Sequence, residues 1–283
     1  SVVSNGAAEI IAAGYEYSTF PTHYRTKFCV YSAAGQALPG WPREIISTNA
    51  FLSSPPTVGD IDGDGTNEII FTSMKKVSAL DTAEIHVYRA NGTIMPGWPQ
   101  QVSLGFPSGY STVQEQASHA ALADLDGDGV LDVVAGVGAY TNGYVCAWRS
   151  NGVAVAGWPV RLPHNYTVHP VCGDIDHDGA PEVVGTTTRG DVYVWRTNGT
   201  PAAGWPLSLP EQGLSTPALA DLDGDDNLEI LFHSSTDKVY AIHHDASTAA
   251  GWPVDVTPQV GNAPWGPPVM GDVDGDGQPD VVL

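Results

Sequence analysis

An all-β chain built as a β-propeller of four-stranded antiparallel blades is the fold class this sequence predicts. Three observations predict it. An acidic nine-residue segment returns five times, as DIDGDGTNE at Asp60, DLDGDGVLD at Asp124, DIDHDGAPE at Asp174, DLDGDDNLE at Asp221 and DVDGDGQPD at Asp272. A Gly-Trp-Pro marker returns with it, at Trp41, Trp98, Trp158, Trp205 and Trp252. Between the two lie short β-branched and aromatic runs bounded by Gly, Pro, Asn and Asp, with no sustained helical period.

Each repeat reads as four strands. The first (ALADL) precedes the acids and the second (DVVAGV, EVVGTT, EIIFTS) follows them. The third ends at a turn, Ala34-Gly35, Asn91-Gly92, Asn151-Gly152, Asn198-Gly199 or Asp245-Ala246, and the fourth begins at Gly-Trp-Pro. Repeats of this size stacked side by side bury a continuous core that no single repeat could bury alone.

The spacing divides the molecule into a constant and a variable side. From turn residue to tryptophan the offset is always seven, and across the acidic segment it is always eight. From the last acid to the turn it runs 25, 23, 19, 16 and 16, and from tryptophan to the next first acid 19, 26, 16, 16 and 20. In an up-and-down blade the two constant connections share one face, so the insertions gather on the face opposite the acids. Insertions confined to one face mark a binding face.

The boundaries expected are one propeller domain over 1–283, in units of about 1–47, 48–105, 106–164, 165–211, 212–258 and 259–283, with the first and last incomplete. Both ends supply a second strand, at Glu9-Ile10-Ile11 and at Asp280-Val281-Val282. A piece of a larger propeller of six or seven blades is therefore expected, with five closed blades as the alternative.

Composition narrows the partners. The chain has 32 acids against 11 bases, a net charge of −21, which argues against nucleic acid and anionic membrane surfaces. No apolar run approaches the ~18 residues of a transmembrane helix. Cys29, Cys146 and Cys172 form neither a disulfide framework nor a CxxC pair, and read as small buried strand residues.

The acids have a chemistry of their own. Asp at positions 1, 3 and 5 of a tight turn brings three short carboxylates together, with glycines at 4 and 6 supplying positive φ. The carbonyl at position 7 and the acid at position 9 complete a cage of oxygens, the environment of Ca²⁺. An EF-hand is excluded, because it closes with Glu at position 12 and is flanked by helices.

These segments resemble the FG-GAP/VCBS repeats of integrin α-subunit propellers and of secreted bacterial proteins, over essentially the whole chain. The resemblance implies Ca²⁺ held by DxDxDGxx[DE] in the hairpin between first and second strands. Carried over residue by residue, the ligands would be Asp60, Asp62, Asp64, Thr66 and Glu68; Asp124, Asp126, Asp128, Val130 and Asp132; Asp174, Asp176, Asp178, Ala180 and Glu182. They continue with Asp221, Asp223, Asp225, Asn227 and Glu229, then Asp272, Asp274, Asp276, Gln278 and Asp280. His177 and Asp226 replace one glycine each, and both residue types tolerate left-handed backbone. The N-terminal copy SVVSNGAAE keeps only Glu9 and should bind nothing. Twenty of the 32 acids occupy the ligand positions 1, 3, 5 and 9 of the five loops, and about five Ca²⁺ would bring the charge from −21 to −11.

The function expected is an extracellular, calcium-stabilised recognition or adhesion module, secreted or at a cell surface and possibly one part of a multidomain protein. A glycan or an extracellular protein would bind the variable face. Its candidates are Tyr15, Tyr17, Tyr24, Tyr110, His119, Tyr140, Tyr166, His169 and Trp265, aromatics with polar tips among Gly, Ser and Thr. The alternative is the propeller of a secreted carbohydrate-active enzyme such as a polysaccharide lyase. With four lysines (Lys27, Lys75, Lys76, Lys238) and no readable nucleophile or paired-acid signature, catalysis is not expected and no catalytic residue is named. The Gly-Trp-Pro tryptophans read as blade packing in preference to sugar stacking. Arg189-Gly190-Asp191 reads as turn chemistry, and of the sequons at Asn91, Asn165 and Asn198, two are the repeat's own turn.

Overall fold

The computed structural model describes residues 9–19, 22–47, 54–77, 80–103, 116–139, 142–163, 168–256, 266–275, 277 and 279–282. All regular structure there is β, in six antiparallel sheets. The first holds β1 (Glu9–Thr19), β2 (Thr22–Ser32) and β3 (Arg43–Ser47). The second holds β4 (Thr57–Gly59), β5 (Glu68–Val77), β6 (Leu80–Tyr88) and β7 (Gln100–Ser103). The third holds β8 (Gln116–Ala123), β9 (Asp132–Ala139), β10 (Asn142–Trp148) and β11 (Val160–Leu162). The fourth holds β12 (His169–Gly173), β13 (Glu182–Thr186), β14 (Asp191–Trp195) and β15 (Leu207–Ser208). The fifth holds β16 (Ala218–Ala220), β17 (Glu229–His233), β18 (Lys238–Ile242) and β19 (Val254–Asp255), and the sixth β20 (Val269–Gly271) and β21 (Asp280–Val282).

The four complete sheets pair in sequence order, so each is a meander with the acidic segment as its first hairpin turn. The fourth strands start just beyond Gly-Trp-Pro, whose Trp-Pro bond is cis in all five copies. Ahead of the tryptophan, isolated bridges such as Tyr88↔Ile94 and Trp195↔Pro201 tie the turn back onto the third strand. β13 and β17 are buried at every position, as strands covered on both faces must be.

Two compact units emerge, residues 1–124 with 128–167, and 168–283 with 125–127. In the first, Phe28 of β2 stacks on Phe71 of β5 with centroids 4.0 Å apart, and Trp41 sets its edge against Phe71 and Tyr88. The second and third sheets share a core of Ile70, Ile85, Val87, Trp98, Val133, Ala135 and Trp148. In the second unit Val184, Val194, Trp205, Ile230, Phe232 and Ile242 fill the space between the fourth and fifth sheets. Leu231 and Ala241 then carry Met270 and Val281 of the sixth. Burial of this apolar surface is the main force holding blade on blade, at about 25 cal/mol per Å².

Polar bonds repeat along the same seams. The Thr72 hydroxyl of β5 donates to the Ser118 carbonyl of β8 (2.8 Å), and Thr186 of β13 to Ser215 ahead of β16 (2.6 Å). Trp41 Nε1 donates to the Ala90 carbonyl at 2.8 Å, and Trp205 Nε1 to that of His244 at 2.9 Å. Trp41, Trp98 and Trp205 of the marker are thus buried stitches from one blade to the turn of the next, as the packing reading expects.

Candidate metal centre

Each acidic segment closes on itself through carboxylates that accept backbone N–H bonds. The position-1 aspartate gathers the turn: Asp60 accepts from Gly63 (2.8 Å), Asp64 (3.2 Å) and Gly65 (2.8 Å). Asp124 accepts from Asp128 and Gly129, Asp174 from Asp178 and Gly179, Asp221 from Gly224, Asp225 and Asp226, and Asp272 from Gly275 and Gly277. Such a wrap requires left-handed backbone at positions 4 and 6. There His177 adopts φ 55° and Asp226 φ 72°, in place of glycine, as expected of both.

Position 5 accepts from the position-7 N–H, as Asp64 does from Thr66, which adds its hydroxyl to the same oxygen. These bonds hold the Asp64 carboxyl below the usual carboxylate range. Position 9 reaches back to the position-2 N–H: Glu68 to Ile61 (3.2 Å), Glu182 to Ile175 (3.1 Å), Glu229 to Leu222 (2.7 Å) and Asp280 to Val273 (2.8 Å). Asp276 and Gln278 lie outside the described residues.

With the backbone donors satisfied in this way, carboxylate oxygens from different positions converge. Asp60, Asp62 and Glu68 bring one oxygen each within 4.8 Å of one another, and so do Asp174, Asp176 and Glu182. Asp221, Asp223 and Asp225 do the same, and a further group joins Asp223 and Glu229 to His243. Burial, and next to it the charges of Asp62 and Asp64, push Glu68 up to about 7 against the opposing pull of its Ile61 N–H bond. Glu182 rises to about 7 for the same reasons, with Asp176, Asp178 and Asp174 as its neighbours.

These residues fit a hard cation. Asp62 Oδ1 and Asp176 Oδ1, both at position 3, are buried and accept no hydrogen bond. A buried anionic oxygen without a donor is costly, and a divalent ion among three carboxylates removes that cost. The acidic clusters can therefore hold metal through positions 1, 3 and 9, with position 5 joining in the Asp221 loop.

Two residues near the loops were not singled out from the sequence. Arg89 places its guanidinium 2.8 Å from Asp62 and 3.5 Å from Asp64. His243 places Nδ1 2.9 Å from Glu229 Oε1. Both follow the third strand, two residues ahead of the turn, where Arg149 and Arg196 also stand, so a register count would have found them.

The other expected sites are met unevenly. His119 and His169 lie half-buried on the first strands β8 and β12. His119 sits in a bulge, where Ala117 pairs Val137 and Ala120 pairs Ala135, with Ser118 Oγ accepting from the Gly136 N–H at 2.8 Å. Tyr15, Tyr17 and Tyr24 fall on the β1–β2 hairpin, Tyr17 opposite Tyr24, with side chains outside the description. Tyr110, Tyr140, Tyr166 and Trp265 lie outside the described residues. Asp191 of the Arg-Gly-Asp tripeptide accepts from Ser208 Oγ at 2.7 Å in a tight hairpin turn. Asn91 and Asn198 accept the N–H and hydroxyl of Thr93 and Thr200, the turn chemistry expected of them. Burial pushes the Cys146 and Cys172 thiols up to about 12, away from the thiolate form that reacts.

A family profile described as FG-GAP-like repeat matches residues 124–185 and 174–232. The crystal structure of the V. cholerae biofilm matrix protein Bap1 superposes with a TM-score of 0.55 at 20% identity, over 90% of this chain and 38% of Bap1. The crystal structure of BBS1N in complex with ARL6DN gives 0.50 at 12% identity, over 88% of this chain and 69% of that one. The chain thus spans well under half the length of Bap1. No curated protein matches in sequence. Residues 124–232 are FG-GAP-like repeats, and the blades they build are those of a β-propeller fold.

Proposed function

We propose that the chain is a calcium-stapled recognition module of the extracellular space, a single propeller domain, whose acidic loops hold about five Ca²⁺. Its variable connections meet a glycan or a protein. The observation that carries the reading is the buried, donorless oxygen at position 3 inside a ring of converging carboxylates, in both the Asp60 and the Asp174 loops. The ligands are the side chains at positions 1, 3, 5 and 9 of the five loops, with the position-7 carbonyl. Calcium supplies positive charge that locks the hairpin between first and second strands, and millimolar calcium outside cells suits sites of about 10⁻⁴–10⁻³ M affinity.

Adhesion follows from the division of labour along the repeat. The metal loops keep one length in five copies, whereas the opposite connections vary and carry aromatic residues. A net charge of −21 weighs against nucleic acid as the ligand. The likeness of fold to a biofilm matrix protein agrees with a role outside the cell. A glycan-array and cell-surface binding screen, run with calcium and with chelator, tests the reading. Calcium-dependent binding to a defined glycan or surface protein is expected. Breakdown of acidic polysaccharides to unsaturated products would replace it with the lyase alternative.

A further inference from the structure

The register that follows the third strand carries arginine in three repeats, at Arg89, Arg149 and Arg196, and histidine in the fifth, at His243. Arg89 shows what this register can touch, since its guanidinium lies against Asp62 and Asp64 of its own loop. In the fifth repeat the same reach is given to an imidazole. A guanidinium only donates, whereas a neutral imidazole presents a lone pair to a metal.

The surrounding geometry is that of a ligand set. His243 Nδ1 stands 2.9 Å from Glu229 Oε1, and Asp223, Glu229 and His243 each offer one ligand atom, the three within 4.8 Å of one another. In the metal-free chain that contact is a hydrogen bond, and a tetrahedral ion with ligands at about 2.0–2.1 Å would replace its proton and open the pair to about 3.3 Å. Glu229 is wholly buried, and the Leu222 N–H holds its Oε2 at 2.7 Å, which fixes the carboxylate with Oε1 toward the imidazole. The His243 side chain is 23% exposed and Asp223 is exposed, which gives an ion a way in.

We propose that Asp223, Glu229 and His243 form a mixed nitrogen–oxygen site for a borderline divalent cation of the Zn²⁺ class. An imidazole in the donor set favours such ions over Ca²⁺, which selects oxygen. This site takes Asp223 and Glu229 from the calcium set of the Asp221 loop, so the Zn²⁺-class ion stands there in place of calcium, and it needs no calcium in the other four loops. The fifth repeat would then differ in selectivity from the all-carboxylate clusters at Asp60 and Asp174.

Cobalt(II) is the probe, titrated into the metal-free full chain while its visible ligand-field absorption is followed. One Co²⁺ per chain with a nitrogen-ligand spectrum, displaced by Zn²⁺, is expected. His243→Arg, which restores the residue of the other repeats, and His243→Gln should each weaken Co²⁺ by at least roughly tenfold, the scale for losing even an outer-shell partner. Melting of the metal-free variants verifies that they fold. An absent cobalt band, or one unchanged in both variants, overturns the site. Calcium titration of the same samples separates the readings, since loss of calcium binding with an intact cobalt band refutes only the calcium assignment.

Discussion

The indole Nε1 of Trp98 donates a hydrogen bond to the carbonyl of Ser150, 2.7 Å away, across the seam between the second and third blades. The ring also packs edge-on against Trp148, with centroids 6.1 Å apart. Trp98→Phe keeps most of the packing and orphans the carbonyl, a loss of about 1–2 kcal/mol. Trp98→Ala removes both, for about 3–5 kcal/mol. Urea unfolding measures the difference. A tryptophan that served only as a sugar platform would leave the unfolding midpoint where it was.

Gly97, beside that tryptophan, answers a different constraint from the loop glycines. A Cβ on Gly97 would lie 1.9 Å from the carbonyl oxygen of Asn151, at a φ of +87°. Gly65 has nearly the same φ, +86°, but open space where its Cβ would point. Gly65→Ala should therefore cost about 1–2 kcal/mol for the left-handed backbone alone. Gly97→Ala should cost clearly more, since backbone on the neighbouring blade must move. Equal losses in thermal melts of the two variants would show that close approach plays no part.

How much of this was legible in the sequence depends on the range of the contacts. The hairpin turns were readable because position 1 of the acidic segment binds N–H groups three to five residues on, as Asp60 does with Gly63 and Gly65. The tolerance of His177 and Asp226 for positive φ was readable for the same local reason. The bond from Trp98 to Ser150 spans 52 residues, so the recurrence of Gly-Trp-Pro announced a constraint without naming its partner. The bulge at Ser118 and His119 left no signal, since alternation alone does not place an extra residue. Arg89 and His243 share a register that the sequence displays, but their contacts with Asp62 and Glu229 span 27 and 14 residues, so the register alone does not name the partners.

Removal of calcium should lower stability by an amount set by mass action, about 2.7 kcal/mol for a site at a hundred times its dissociation constant. Asp176→Asn isolates one loop. Its Oδ1 is buried without a donor, so the variant loses an ion ligand while relieving repulsion among Asp174, Asp178 and Glu182. In excess calcium the variant should melt below the parent, and in chelator at or above it. A variant that melts lower in both conditions would mark Asp176 as purely structural.

Arg89 should act with opposite signs in the two states. Its charge neutralises Asp62 and Asp64 when no ion is present and repels an ion that arrives. Arg89→Gln should thus destabilise the metal-free chain slightly, by under about 1 kcal/mol given its exposure. The same change should tighten calcium at the Asp60 loop several-fold. Calorimetric titration of both proteins, with melts in chelator, measures the two effects. Weaker calcium in the variant would mean that Arg89 positions the loop.

The pH dependence follows from Glu68 and Glu182, both raised from an ordinary 4.5 to about 7, chiefly by burial. A carboxyl whose folded pKa exceeds its unfolded value favours the fold while protonated. In chelator that contribution is complete below the unfolded value of 4.5 and is lost as pH rises through about 7. Calcium needs both groups ionised, so the ion must displace their protons on the acid side, and its stabilisation grows over the same interval. Melting curves with and without calcium should therefore converge near about pH 5 and separate by about pH 8. Glu68→Gln with Glu182→Gln should flatten the chelator curve across that window and shrink the separation. Parallel curves in the parent protein would mean that these two carboxyls neither hold protons in the metal-free fold nor yield them to an ion.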